Sequence, residues 1–501
     1  MTAPQLICKA LAGTGKTTTG VEGIKRQRGG GDWTLKPSTQ QQRIWEVMNM
    51  GAKPDNIGFA AFNNTIKDEM AERLLNVPGC SVSTMHSLGF SAIKTAIGRR
   101  VKLDKWKVKN ILQEVYNVDY KMMMKQKGAE VTAICRLAQL AKYSAQTEPN
   151  NSFLTDQAAY YGVEVNGSEE EIFNGVRAVM AIGKDDLNHV DFDDMIWLPI
   201  VNNLPIEKFD LLVVDEGQDL NQCQQKLALR ASDRVMLIGD ENQAIYGFAG
   251  ADTKGMGRMF EQLNSRPSGC LTEPLTITYR CSHAVVGEAQ KIVPEYEAFH
   301  TNKDGLVSTI DSQEYTKLVQ PGDMVLCRVN APLVRNAFQL LSEGKKAEVV
   351  GRDLSSNLTT LIKNLKPMDV DDLQVKLYNY QDREIARIKK NPRHSETAVL
   401  AVEDKCECLR IFCMKSSSIE DLFDNLADIF SVKHNSIRLS SIHRAKGLES
   451  DTVFILHPEL LPHPMAKSDW EKEQEKNLKY VAITRAKDSL YWVKTPDKEN
   501  E

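Results

Sequence analysis

The run Ala12-Gly13-Thr14-Gly15-Lys16-Thr17 joins small residues to a lysine and a hydroxyl at a spacing suited to gripping a polyphosphate. Small residues let backbone N–H groups face phosphate oxygens, and a helix N-terminus behind them adds positive potential. In that arrangement Lys16 reaches the β/γ-phosphates and the Thr17 hydroxyl holds Mg²⁺. The strict pattern asks for an earlier glycine where this chain has Ala10. A tight linker turn would use the same small residues, but it needs neither the Lys-Thr ending nor the apolar lead Leu6-Ile7-Cys8. A second set, Asp215-Glu216-Gly217-Gln218-Asp219, follows the apolar run 211–214. Acids at the end of a buried strand are costly unless they meet a metal or a partner. Asp215 is suited to bind Mg²⁺ through water, and Glu216 to polarise an attacking water. Taken alone, that stretch also reads as a strand-end turn with solvated acids. Gln243 follows the next apolar run and can sense a γ-phosphate. Tyr246 and Phe248, on a glycine-broken segment, can each offer a ring to a nucleic-acid base, with core packing as the competing reading.

These residues need strands to deliver them to a common rim. Runs 57–62, 211–214 and 235–238 read as buried parallel strands, and 65–75 has helical spacing. Residues 82–87 look like a strand end that leaves polar side chains, His86 among them, where open α/β sheets bind ligands. Residues 93–189 are helix-rich and read as an insertion. Asp191-Phe192-Asp193-Asp194 leads back to the sheet, its acids read as charge at a helix N-terminus. A second α/β pattern starts at Leu275. Its strand 275–280 ends in Thr278-Tyr279-Arg280, and further strands follow at 324–328, 347–350, 437–442, 453–456 and 489–493, with a helix at 469–483. Residues 367–431 read as a small, mostly helical second insertion, within which 408–414 reads as a strand.

The chain has 501 residues, which at roughly 150 per domain suggests about three domains. With a net charge of −4 the total neither supports nor excludes nucleic acid, since a local basic groove can hide within it. No apolar run approaches the roughly 20 residues of a membrane span, and no signal-peptide core opens the chain, so no membrane partner is expected. The ten cysteines are scattered, as expected of reduced thiols in a cytoplasm. Cys406, Cys408 and Cys413 cluster without a zinc spacing.

Taken in order, the motifs resemble those of the UvrD/Rep/PcrA group of superfamily 1 DNA helicases. Ala12 to Thr17 resembles motif I, and Phe59-Ala60-Ala61-Phe62-Asn63-Asn64 motif Ia. Thr84-Met85-His86-Ser87 resembles motif Ib, and Asp215 to Asp219 the DExQD motif II. Gly239 to Phe248 is similar to motif III, Thr278-Tyr279-Arg280 to motif IV, and Leu326-Cys327-Arg328-Val329-Asn330 to motif IVa. His443-Arg444-Ala445-Lys446-Gly447-Leu448-Glu449 resembles motif V, and Tyr480 to Ala486 motif VI.

The resemblance implies an α/β fold of two RecA-like parallel-sheet domains, each with a mainly helical insertion, sandwiching ATP and Mg²⁺ in their cleft. The expected divisions are 1–92 with 190–274, insertion 93–189, then 275–366 with 432–501, and insertion 367–431. It implies that Ala12, Gly13, Thr14, Gly15, Lys16, Thr17 and Thr18 hold the nucleotide and that Thr17 and Asp215 hold the metal. Glu216 would be the catalytic base, Gln243 the coupler of γ-phosphate to DNA, and Arg280 and Arg485 arginine fingers. Tyr279 would stack on adenine, with Glu449 near the ribose and Gly447 beside the nucleotide. Phe62, Asn64, His86, Tyr246, Phe248 and His443 match DNA-facing positions. The implied activity is 3′→5′ translocation on single-stranded DNA with separation of duplex strands at junctions. A translocase with little unwinding and an ATP-switched DNA-loading factor are the alternatives. A DNA-associated cytoplasmic protein with replication or repair partners is expected.

The chain departs from the group in several places. The adenine-reading Gln motif usually precedes motif I; here Pro37-Ser38-Thr39-Gln40-Gln41-Gln42 resembles it and follows the loop. The expectation is that this segment folds back to read adenine, or that adenine selection is relaxed. Thr18 stands where many relatives have an arginine, Phe248-Ala249 replaces Trp-Arg, and the second insertion is small.

Overall fold

Apolar runs of four to six residues, each followed by a helical stretch, dictate parallel strands joined by crossovers. The computed structural model describes residues 3–32, 36–98, 101–161, 163, 165, 168–245, 254–389, 396–464, 466 and 469–494. It divides into two units, Met1–Thr276 and Ile277–Glu501.

The first unit is built on strands β1 (Gln5–Ala10), β2 (Ile57–Ala61), β3 (Cys80–Thr84), β4 (Leu211–Val214), β5 (Val235–Gly239) and β6 (Cys270–Leu275). They form one parallel sheet in the order β3-β2-β4-β5-β1-β6. Every residue of β2, β4 and β5 is buried, as expected where helices cover both faces. The order sets the carboxyl ends of β1, β5 and β4 side by side, which brings the phosphate loop and the acids of two distant stretches to one rim. Helix α1 (Lys16–Gln27) runs back across the sheet so closely that a Cβ on Gly20 would come within 2.9 Å of Ile238 Cδ1. Leu275 ends β6 in register with Ala10, so it closes the first sheet rather than opening the second pattern.

Helices Lys107–Tyr116, Tyr120–Tyr143, Asn151–Tyr160 and Glu169–Asp185 form the first insertion, with a two-stranded pair, Lys102–Leu103 and His189–Val190. Its core runs continuously from Leu137, Val176 and Met180 to Leu212 and Val214 of the sheet. The acids after this insertion do more than charge a helix start. Asp194 is fully buried, 2.6 Å from Lys107 Nζ and 2.7 Å from Lys142 Nζ, and Lys142 also lies 2.8 Å from Asp191. Burial alone would lower the Lys142 ammonium, but Asp194 and Asp191 outweigh it and raise it.

The second unit carries β7 (Leu306–Ile310), β8 (Met324–Cys327), β9 (Ala347–Val349), β10 (Ile437–Ser441), β11 (Ser450–Leu456) and β12 (Ala486–Val493). They too are parallel, in the order β7-β12-β11-β8-β10-β9. Helices Arg352–Leu365, Val370–Lys389, Glu396–Met414 and Ile419–Ile429 lie between β9 and β10. The expected strand at 408–414 is instead the end of helix Glu396–Met414. Its buried residues Cys406, Leu409 and Cys413 recur at helical spacing, and a short apolar run does not by itself distinguish a strand from a buried helix. Among the described residues no group of three metal-binding side chains occurs, and no helix is long and apolar enough to cross a membrane.

Candidate functional site

After Ala10 the chain turns through a loop in which Gly13 and Gly15 take left-handed φ of 67° and 79°, a conformation that costs glycine nothing. The Thr14 hydroxyl braces the turn by donating to the Leu11 carbonyl at 2.9 Å. At the start of α1, the Thr17 hydroxyl donates to Asp215 Oδ2 at 2.9 Å, and Lys16 Nζ lies 3.6 Å from Glu216 Oε1. Glu216 is itself left-handed at φ 52°, an uncommon conformation outside glycine that bends the chain out of β4 and turns its carboxylate towards Lys16. Its N–H donates to Asp215 Oδ1 at 3.0 Å. The Gln218 carboxamide donates to Glu216 Oε2 and accepts from the Asp240 N–H at 2.9 Å. Gln243 Nε2 then donates to Asp240 Oδ2 at 2.6 Å. A continuous polar path therefore leads from Thr17 through Asp215, Glu216, Gln218 and Asp240 to Gln243.

Burial first, and then the charge of Glu216, pushes the Asp215 carboxyl up to about 6 against the opposing pull of Lys16 and Thr17. Asp240 is raised by burial as well. A buried carboxylate held beside a hydroxyl at a phosphate-type loop is a donor set that a hard divalent cation completes, so Thr17 and Asp215 fit Mg²⁺. Lys16 and the loop N–H groups fit a triphosphate. The neighbouring Thr18 hydroxyl accepts from Arg73 Nη2 at 3.4 Å.

The segment after the loop does fold back. Ser38 caps helix α2 (Thr39–Met48) in a capping box with Gln41. Gln41 Nε2 also donates to the Thr19 hydroxyl at 3.1 Å, so Gln41 is buried against α1 one turn beyond the loop. Gln40 exchanges two 2.9 Å hydrogen bonds with Thr276 at the end of the first unit. Both glutamines are thus committed to protein partners, and Gln42 is exposed.

In the second unit, Arg280 Nε lies 2.7 Å from Glu449 Oε2. Arg485 is buried, with its guanidinium donating to the carbonyls of Val481 (3.0 Å) and Leu448 (3.1 Å) and to the Thr484 hydroxyl (3.2 Å). Burial and the nearby Arg280 charge lower it to about 10. Gly447 makes the left-handed turn, φ 87°, that leads to Glu449. Tyr279 is part-exposed, its ring 4.9 Å from that of Phe299. His443 is held down to about 3 by burial and by Arg328 and Arg444.

On the first unit's rim, Phe62 is exposed at the end of β2, and Asn63 caps the helix that begins at Asn64. His86 lies at the start of helix Met85–Ile97, where the Thr84 hydroxyl accepts from the Ser87 N–H at 3.1 Å. Its ring stacks on Phe192, centroids 3.9 Å apart and planes within 22°, and Phe192 is 62% exposed. Phe192 was not among the expected DNA-facing residues, although one large apolar ring set among acids is its signal. Tyr246 and Phe248 lie outside the described residues.

The profile of the UvrD/REP helicase N-terminal domain matches residues 36–264, and that of the UvrD-like helicase C-terminal domain matches 414–496, between them more than half of the chain. The chain belongs to the UvrD/Rep helicase family. The first match begins at the segment that holds the capping box. The ATP-dependent DNA helicase Rep of Buchnera aphidicola subsp. Acyrthosiphon pisum is 22% identical, over 90% of this chain and 89% of that protein. The ATP-dependent DNA helicase Rep of Escherichia coli is 26% identical over 41% of the chain and 32% of its own length. The ATP-dependent DNA helicase PcrA of Staphylococcus epidermidis is 47% identical over 11% of the chain and 8% of its own. A solved structure of Arterivirus nonstructural protein 10 (helicase) with DNA aligns over 99% of the chain at 12% identity and a TM-score of 0.36. The chain covers 62% of that chain.

Proposed function

We propose that this UvrD/Rep-family chain uses ATP and Mg²⁺ to move along single-stranded DNA and to separate duplex strands at junctions, with the family's 3′→5′ polarity. The observation that carries the reading is the 2.9 Å Thr17–Asp215 hydrogen bond beside the 3.6 Å approach of Lys16 to Glu216. It brings together, from distant stretches of chain, the lysine, hydroxyl and carboxylates to which this reading gives the phosphate, metal and base roles.

In this reading, Ala12 to Thr18 cradle the phosphates, and Lys16 places its charge against the β/γ oxygens. Thr17 and Asp215 would hold Mg²⁺, which would supply charge neutralisation at the phosphate oxygens. Glu216 accepts the proton of the attacking water at its carboxylate, which Lys16 and Gln218 hold in place. Gln243 reports the γ-phosphate along the path through Asp240 and Gln218. Arg280 and Arg485 act on charge that develops in the transition state, Tyr279 stacks on the adenine, and Gly447 and Glu449 line the nucleotide. Phe62, Asn64, His86 and His443 face DNA, with Tyr246 and Phe248 carried over from the resemblance. The Phe192 ring joins them, because a part-exposed stack with His86 offers a base a flat apolar face. Replication or repair proteins are the proposed partners, acting where DNA is.

Lys16→Ala tests the site. ATP hydrolysis is expected to fall by about 10² or more while single-strand binding is partly kept, and retained hydrolysis would contradict the assignment. Unwinding of a 3′-tailed duplex separates helicase from translocase: hydrolysis without strand separation removes the helicase reading and leaves the translocase.

A further inference from the structure

Glu449 meets two cations, one on each oxygen. Oε2 lies 2.7 Å from Arg280 Nε, and Oε1 lies 3.0 Å from Lys487 Nζ. The sheet sets this up, since Ser450 in β11 pairs with Ala486 in β12 and its N–H donates to the Arg485 carbonyl at 3.0 Å. Glu449 and Lys487 flank that pair. The Arg280 segment is tied to the same strand, with the Ser282 N–H donating to the Lys487 carbonyl at 2.7 Å and the Ser282 hydroxyl to the Asp488 carbonyl at 2.9 Å.

The three side chains are 26%, 37% and 37% exposed, so the carboxylate is only partly served by water. If Arg280 were its sole partner, the departure of Arg280 would strand a half-buried charge, which is costly. Arg485 cannot replace it, because its guanidinium is committed to Val481, Leu448 and Thr484. Asp451, the other acid near Lys487, is farther away at 3.9 Å.

We propose that Lys487 is a positioning residue that keeps Glu449 paired, so that Arg280 can exchange the carboxylate for a phosphate oxygen. The inference rests on the reading of Arg280 as a cation that acts on the phosphates. The exchange swaps ion pairs and breaks no covalent bond.

Turnover with MgATP and oligodeoxythymidylate in wild type, K487M, K487R, E449Q and the K487M/E449Q double variant tests it. K487M should lower kcat about five- to tenfold, the worth of one half-buried ion pair, with KM for ATP within about twofold. K487R should restore the rate, and K487M should cost nothing further in the E449Q background, where no carboxylate retains Arg280. An unchanged kcat in K487M, a fall carried by KM, or an equal fall in both backgrounds overturns the proposal. A wild type without DNA-stimulated hydrolysis would remove the functional reading instead. The pairing itself is then decided by the Arg280 Nε–H signal in a nitrogen-15 spectrum. That signal should shift on adding MgADP with aluminium fluoride in wild type and stay in place in K487M, and the same response in both overturns the proposal.

Discussion

Single residues are where the proposed chemistry is placed, and their positions at strand ends were the most legible part of the chain. Lys16, Thr17, Asp215 and Glu216 announce themselves because each sits at a fixed offset from an apolar run, and a strand end is a local property of sequence. What stayed hidden is who touches whom. The stack of His86 on Phe192 and the Gln218 bridge from Glu216 to Asp240 depend on which strands and helices become neighbours, and no local pattern encodes that. His86 also yields a prediction. Burial lowers its imidazole to about 4, so the folded protein holds it neutral while the unfolded chain takes up a proton near 6.5. The unfolded state therefore binds more protons in that window, and stability is lost as pH falls from about 6.5 towards 4. Unfolding free energies of the first unit at pH 7.5 and 5, from denaturant titration, should differ by on the order of 1 kcal/mol more in wild type than in His86→Gln. Equal pH dependence in the two proteins would contradict an imidazole held neutral by the fold.

At the scale of elements, strands were read well where they were wholly buried, as β4 and β5 are, because only a sheet covered on both faces tolerates such runs. The misreading of 408–414 has the same origin in reverse: buried helix and buried strand share composition, and only the length of helix Glu396–Met414 separates them. The acids after the first insertion were read as helix-start charge because their partners, Lys107 and Lys142, lie on other helices. Those ion pairs fasten two helices of the insertion to the segment that opens helix Asp194–Val201. Lys142→Met should destabilise the first unit by about 3 kcal/mol by leaving buried carboxylate under-compensated, and hydrogen exchange should quicken in helix Tyr120–Tyr143. A urea midpoint unchanged from wild type would show that the pairs are dispensable.

At the scale of the whole chain there are two parallel six-stranded sheets, each interrupted by a helical insertion, and the first carries its motif residues at the carboxyl ends of its strands. The plan was legible because the motifs adjoin apolar, strand-forming runs, although chain order does not give the order of strands within a sheet. The order of the phosphate loop and the capping-box segment was legible too. That Gln40 and Gln41 end up bonded to Thr276 and Thr19 was not, since it depends on where α2 comes to rest. The central claim is that the rim holding Lys16, Thr17, Asp215 and Glu216 is a motor site answering to DNA. ATP turnover by the full chain, with and without oligodeoxythymidylate at fixed MgATP, tests it most directly. The expected result is a rise of at least about tenfold with the oligonucleotide. Equal rates with and without it, or no turnover in either, would contradict the account.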